Sequence, residues 1–219
     1  NAVLQSADPV RTLTAELSGP TAEGAYTELL EPMVAETVVV NGNVSTPGIT
    51  ARTLTVKTKA KLTSPASTAT VVRSLDLSVS GVLTIEDGGS IDVTGRGYPA
   101  NATYSGPIES RPVAGSHLGI GGVSGGAAKV PSYGSVERPL EAGSGGRGDA
   151  PKSGGGVVRI EAGTIALGGA TASILGNGEG GWYEGGAGGS VWIRAGTLTG
   201  DGRIEAVGGE SNRRGGGGS

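Results

Sequence analysis

Ile160-Glu161-Ala162-Gly163-Thr164-Ile165 returns, 33 residues on, as Ile193-Arg194-Ala195-Gly196-Thr197-Leu198. Each copy follows a glycine patch and a Val-containing run, Gly154 to Val158 and Gly188 to Trp192. Each precedes a second short apolar run: Ala172-Ser173-Ile174-Leu175-Gly176, and Arg203-Ile204-Glu205-Ala206-Val207-Gly208. Ile91-Asp92-Val93-Thr94-Gly95 has the same form. Alternation with a period of two sends one side of a strand inward and the other to solvent. Earlier in the chain, Leu54, Val56 and Leu62 match Leu75, Leu77 and Leu83 at a constant offset of 21. An offset near twenty is the length of one β-helix coil and too short for a propeller blade. This alignment places Leu54 beside Leu75 on successive coils. The longer offset is read as an insertion at one corner, such as Asn177 to Gly186.

Composition agrees. Glycine supplies 44 of 219 residues, and only Gly19, Gly24, Gly42 and Gly48 precede residue 80. There is no Phe, one Met, two Trp and five Tyr, so small aliphatic side chains must fill the interior. A narrow core of stacked aliphatics suits that inventory. A strict Gly-X-Y period is absent, which excludes collagen. The net charge of −3 and the lack of a basic stripe argue against nucleic acid as a partner. No cysteine is present, which removes disulfides and thiolate chemistry. The apolar runs are too short to span a bilayer, and no signal peptide is visible.

The expected fold is all-β: a single right-handed parallel β-helix (β-solenoid) with long Gly-rich loop insertions and an N-terminal capping segment. Residues 1–35, broken by Pro9, Pro20 and Pro32, read as the lead-in that covers one open end. Residues 36–219 read as the helix, with a Gly-rich insertion at about 95–156. Tyr98, Tyr104, Ile108, Val113, Leu118, Ile120, Val130, Tyr133 and Leu140 punctuate that insertion. Such anchors predict an ordered segment lying along the wall, its glycines against backbone, rather than a disordered linker. The absence of an initiating Met and the closing Gly215-Gly216-Gly217-Gly218-Ser219 read as a fragment cut inside a Gly-rich loop.

Gly155-Gly156-Val157-Val158-Arg159-Ile160-Glu161-Ala162-Gly163-Thr164-Ile165 and Gly189-Ser190-Val191-Trp192-Ile193-Arg194-Ala195-Gly196-Thr197-Leu198-Thr199-Gly200 resemble the Gly-rich β-helical segments of very large bacterial secreted and surface proteins. These include adhesin-like and Rhs/YD-repeat-type polypeptides. Gly89-Ser90-Ile91-Asp92-Val93-Thr94-Gly95 and Gly115-Ser116-His117-Leu118-Gly119-Ile120-Gly121-Gly122 look like the same segments. The resemblance covers roughly residues 70–219. It implies a right-handed parallel β-helix and an extracellular or bacterial-envelope setting, and carries no active site to any position.

Catalysis finds no constellation. Glycoside hydrolysis needs two carboxylates aimed at one bond. Asp76, Glu86, Asp87, Asp92, Glu161 and Glu205 lie on or beside strands, but aligned positions do not stack carboxylates. Gly145-Gly146-Arg147-Gly148-Asp149 contains an Arg-Gly-Asp tripeptide, read as a chance match, and misses the spacing of a Ca²⁺-binding nonapeptide turn. The glycine loops precede no helix, so a phosphate cradle is not formed. A threonine array of the ice-binding kind would need Thr53-Leu54-Thr55 to continue on the next coil. At an offset of 21 that coil presents Ser74-Leu75-Asp76, and the array stops. His117, the sole histidine, reads as a loop-pinning hydrogen-bonding residue, not as part of a metal site. Asn43-Val44-Ser45 and Asn101-Ala102-Thr103 are sequons that matter only on a eukaryotic secretory route.

The aromatics carry the functional expectation. Tyr98, Tyr104, Tyr133, Trp182 and Tyr183 fall in insertions, near Arg96 and Arg111. Aromatic faces beside polar side chains suit glycan or protein surfaces. The expected function is a non-catalytic structural and adhesive module of a larger bacterial surface or secreted protein, binding glycans or protein partners through these loops. It needs no catalytic residue, metal or cofactor. The competing readings are a polysaccharide lyase or hydrolase, including a tail-spike-like depolymerase, and a subunit of a toxin or secretion assembly.

Overall fold

The computed structural model describes residues 13–104, 106–109, 113–123, 126, 128–148, 150, 152–182 and 184–211. Among them fifteen strands form and no helix. In chain order they are β1 (Thr14–Leu17), β2 (Thr27–Glu28), β3 (Met33–Val34), β4 (Thr37–Val40), β5 (Asn43–Ser45), β6 (Gly48–Val56), β7 (Lys61–Thr63) and β8 (Ser74–Ile85). Then follow β9 (Ser90–Asp92), β10 (Ala102–Thr103), β11 (Gly106–Pro107), β12 (Val157–Leu167), β13 (Ser173–Leu175), β14 (Ser190–Gly200) and β15 (Arg203–Glu205).

The β-helix expectation is corrected here. Apart from the short antiparallel pair β10–β11, the strands divide between two separate parallel sheets, and neither closes on itself. The first has seven strands in the order β1-β4-β6-β8-β12-β14, with β3 on β6; the second has six, β15-β13-β9-β7-β5-β2. Among the described residues no further strand wall joins their far sides. The connections there run through Ser64 to Arg73 and through the glycine-rich stretches after β9 and β13, outside either sheet.

From β4 onward the main strands alternate between the sheets. Their inward aliphatics line up in two ladders. Val38, Leu54, Leu83, Ile165 and Leu198 pair in turn across the first sheet. Val44, Leu62, Ile91, Ile174 and Ile204 do so across the second. One hydrophobic core takes residues from both sheets, including Leu54, Leu62, Leu83, Ile91, Ile165 and Ile174. Each such burial contributes about 1.5–3 kcal/mol. β-Branched Thr37-Val38-Val39-Val40 shows the local cause: alternate side chains are buried, and branching at Cβ suits a pleated surface.

The register also corrects the sequence alignment. Leu54 stands beside Leu83, and Leu75 beside Val158. The offset of 21 matched Leu62 of the second sheet to Leu83 of the first. A two-residue period looks alike at every even shift, so aliphatic alternation alone could not choose between them. The 33-residue recurrence fixes a real pairing: Ile160 lies beside Ile193, and Ile165 beside Leu198. β8 carries an irregularity near Gly81, where the register shifts against both β6 and β12.

The segment between β9 and β12 packs on the glycine-rich side. Tyr98, Ala102, Ala142 and Val157 form one small cluster; Ile108, Val113 and Val130 form another. Between them glycine backbones touch. The amides of residues 143–147 donate in rotation to three neighbouring segments. Gly143 donates to Gly155, Ser144 to Ser116 and Gly145 to Ala102; then Gly146 donates to Lys152 and Arg147 to Val113. A three-residue rotation belongs to polyproline II-like backbone, not to a two-sided strand. A Cβ on Gly154 would fall on the Gly143 carbonyl, and one on Gly155 on that of Gly176. Neither residue has a positive φ. Glycine is needed there because backbone meets backbone.

Candidate binding groove on the first sheet

The irregularity in β8 divides the outward face of the first sheet. On its N-terminal side, Gly48, Asp76, Arg159 and Trp192 occupy one row across β6, β8, β12 and β14. Thr50, Ser78, Glu161 and Arg194 occupy the next. Parallel strands bring residues 28 to 83 positions apart in sequence to about 4.8 Å lateral spacing. Gly48 contributes no side chain and leaves the row open at that end.

These rows, apart from Arg194, floor a groove of about 800 Å³. Glu137, Arg138, Pro139 and Leu140 form part of its lining, as do Pro32 and Pro47. The 137–140 segment leads into Glu141, whose carbonyl accepts a hydrogen bond from Ser190 Oγ at 2.6 Å, which ties it to β14.

Two of the charges in the groove are committed to each other. Arg159 Nε donates to Asp76 Oδ1 at 2.5 Å, and Ser74 Oγ donates to Asp76 Oδ2 at 2.7 Å. Burial alone would raise the Asp76 carboxyl; the hydrogen bonds from Arg159 and Ser74 outweigh it and hold it below the usual carboxylate range. The hydrogen bond to Asp76 likewise holds the Arg159 guanidinium charged, against the smaller opposing effect of burial. Arg194 lies 3.9 Å from Glu161. The floor thus offers fixed donors and acceptors beside the half-buried Trp192 indole.

The residues expected from sequence to contact a ligand gather elsewhere, and only in part. Tyr104 stacks on Tyr133 at 5.4 Å between ring centroids, and Tyr98 meets Tyr133 edge-on at 6.5 Å. Tyr98 is buried, Tyr104 exposed. Tyr133 donates its hydroxyl to the Ala142 carbonyl at 2.7 Å, and burial pushes its phenol well up. His117 packs against the same ring at 5.2 Å. Arg96 lies 4.7 Å over the Tyr26 ring, a cation–π contact. Trp182 is exposed. Tyr183 and Arg111 lie outside the described residues. Among the described residues no group of three His, Cys, Asp or Glu side chains could hold a metal ion, and no helix is long and apolar enough to cross a membrane.

Sequence reasoning passed over Trp192, Asp76 and Arg159 as a set. A signal was present: Trp192 takes the outward position in Val191-Trp192-Ile193, where solvent-facing strand residues are usually polar. Its partner residues come together only through the pairing of β8 with β12, which plain alternation does not specify. No family model, curated protein or solved structure matches this chain.

Proposed function

We propose that the chain is a non-catalytic structural and adhesive module of a larger bacterial surface or secreted protein, and that it holds an extended glycan in the groove across the first sheet. The single observation that carries this reading is the in-register row Gly48, Asp76, Arg159 and Trp192 beside the 137–140 wall. An indole offers an apolar face to a sugar ring, and fixed charged hydrogen-bonding groups next to it orient the hydroxyls. The floor belongs to four parallel strands, so it is rigid, and a rigid site avoids ordering costs on binding.

Binding is favoured over cleavage by the state of Asp76, the carboxylate in the row beside Trp192. A general acid must hold a proton near neutral pH. Asp76 is held ionised by Arg159 and Ser74 and has none to give.

The test is titration of the protein with a panel of soluble bacterial polysaccharides, followed by calorimetry, with new reducing or unsaturated ends assayed in parallel. Wild type should bind at least one member without turnover. Trp192→Ala and Arg159→Ala should each weaken that binding by about 2 kcal/mol, roughly thirtyfold. Failure to bind any member, or turnover that a single carboxylate change abolishes, overturns the proposal.

A further inference from the structure

Beyond the irregularity in β8 the same sheet presents a different surface. Thr14, Thr37, Thr53, Val82, Thr164 and Thr197 pair in sequence across β1, β4, β6, β8, β12 and β14. Two residues further along, Glu16, Val39, Thr55, Thr84, Ala166 and Thr199 form a second row. From β4 to β12 these positions alternate with buried residues such as Val38, Leu54, Leu83 and Ile165, so they point outward, and Thr197 and Thr199 are exposed on β14. A threonine array that stops at Ser74-Leu75-Asp76 presupposes Leu54 beside Leu75. The true register instead sets Thr53 and Thr55 beside Val82 and Thr84.

We infer that this face binds ice. The rows repeat at about 4.8 Å across the strands and about 6.6 Å along them. Both spacings lie close to oxygen repeats on the surface of ice. Each threonine sets one methyl and one hydroxyl at a lattice point; Val39, Val82 and Ala166 keep the methyl component where the hydroxyl is missing. Thr53 Oγ1 donates to Thr37 Oγ1 at 3.1 Å, which aligns neighbouring side chains along the row. A stiff sheet holds the array in place without ordering cost on binding. From β4 to β14 these two rows contain no charged or aromatic side chain. Glycan sites depend on aromatic faces and protein interfaces on large buried anchors, and neither is offered here. The charged pair Lys57–Glu86, at 2.7 Å, lies at one border of the array, and Arg52–Glu36, at 3.4 Å, at the other. Ordered water is the partner that matches a small, regular, uncharged lattice of hydroxyls and methyls.

The experiment is nanolitre osmometry and an ice-recrystallisation assay on the intact chain, with pull-down on crystalline cellulose and chitin as a second arm. Wild type should facet growing ice crystals and separate the freezing point from the melting point. Thr84→Lys and Thr164→Lys, both at solvent-facing positions in the middle of the array, should abolish most of that gap while the dichroism spectrum stays unchanged. Thr70→Lys, in the exposed loop before β8, should retain it. Unfaceted crystals with no gap for wild type overturn the inference. So does a gap that survives in both array variants, or retention on crystalline polysaccharide with no effect on ice. This result is independent of the groove, whose ligand is tested in solution above freezing.

Discussion

Arg159 and Asp76 are 83 residues apart in sequence and share a hydrogen bond of 2.5 Å across the pairing of β8 with β12. Arg159 is therefore held between a carboxylate on one neighbouring strand and the Trp192 position on the other. The pair matters more for presenting the guanidinium than for holding the sheet together. Both side chains are partly in water, so its contribution to stability is below about 1 kcal/mol.

That contribution has a defined pH window. The Asp76 carboxyl is held below its ordinary value of 3.8 in the folded state. The unfolded chain takes up the proton first as pH falls, so the stabilisation is present above about pH 4 and is lost below it. Asp76→Asn should therefore lower the denaturation midpoint near neutrality, by no more than about 1 kcal/mol in stability, and flatten its pH dependence in the acid range so that variant and wild type converge at low pH. Urea titrations from pH 3 to pH 7 check this. An Asn variant that keeps the full acid slope would contradict it.

His117 gives a second window with a different origin. It is buried, and its ring lies 5.2 Å from Tyr133. Burial lowers its pKa from 6.5, with the backbone at Gly188 and Gly189 opposing. The folded protein holds the neutral ring, while the unfolded chain protonates near pH 6.5. Stability is full above that value and declines as pH falls through the interval down to the folded pKa. His117→Gln should remove the slope that opens as pH falls below about 6.5, at some cost in packing at every pH. Chemical denaturation at half-unit pH steps reads both effects.

The glycine layer predicts large costs for the smallest possible change. A methyl on Gly154 would lie on the carbonyl of Gly143, and one on Gly186 on the carbonyl of Ser153. In each case backbone must move, because no flexible side chain can yield. Gly154→Ala and Gly186→Ala should each destabilise by about 3 kcal/mol. Helix or strand propensity alone would make Gly→Ala neutral or favourable at a relaxed site, so the sign of the change is decisive. Thermal unfolding of the two variants measures it.

What the sequence disclosed depended on how specific each pattern was. Ile160 to Ile165 and Ile193 to Leu198 share glycine and threonine at fixed places, so only one alignment fits, and the pairing follows. Leu54 and Leu75 sit in plain alternation, which fits many alignments equally. The strands were therefore legible but not their partners in the N-terminal half. The division into two open sheets was illegible for a related reason: glycine marks where strands end, not how the chain crosses between them. The groove was hidden twice over: Gly48 joins its row only in the true register of β6 on β8, and Asp76 meets Arg159 only through the pairing of β8 with β12. The Tyr98, Tyr104 and Tyr133 grouping was expected at a ligand surface; among the described contacts these rings pack on one another and on the Ala142 carbonyl.

The register itself can be measured in solution. Leu54 and Leu83 are both fully buried and directly paired, whereas Leu75 lies eight residues along β8 from Leu83, more than about 20 Å away. Each single change to Ala should cost about 2–5 kcal/mol. In a double-mutant cycle, Leu54→Ala with Leu83→Ala should depart from additivity by at least about 0.5 kcal/mol, because the two deletions share one cavity. Leu54→Ala with Leu75→Ala should add within about 0.3–0.5 kcal/mol. Coupling in the second pair and none in the first would restore the offset of 21, take Gly48 out of the Asp76 row and break the threonine lattice between β6 and β8, since both depend on β8 sitting where Leu83 faces Leu54.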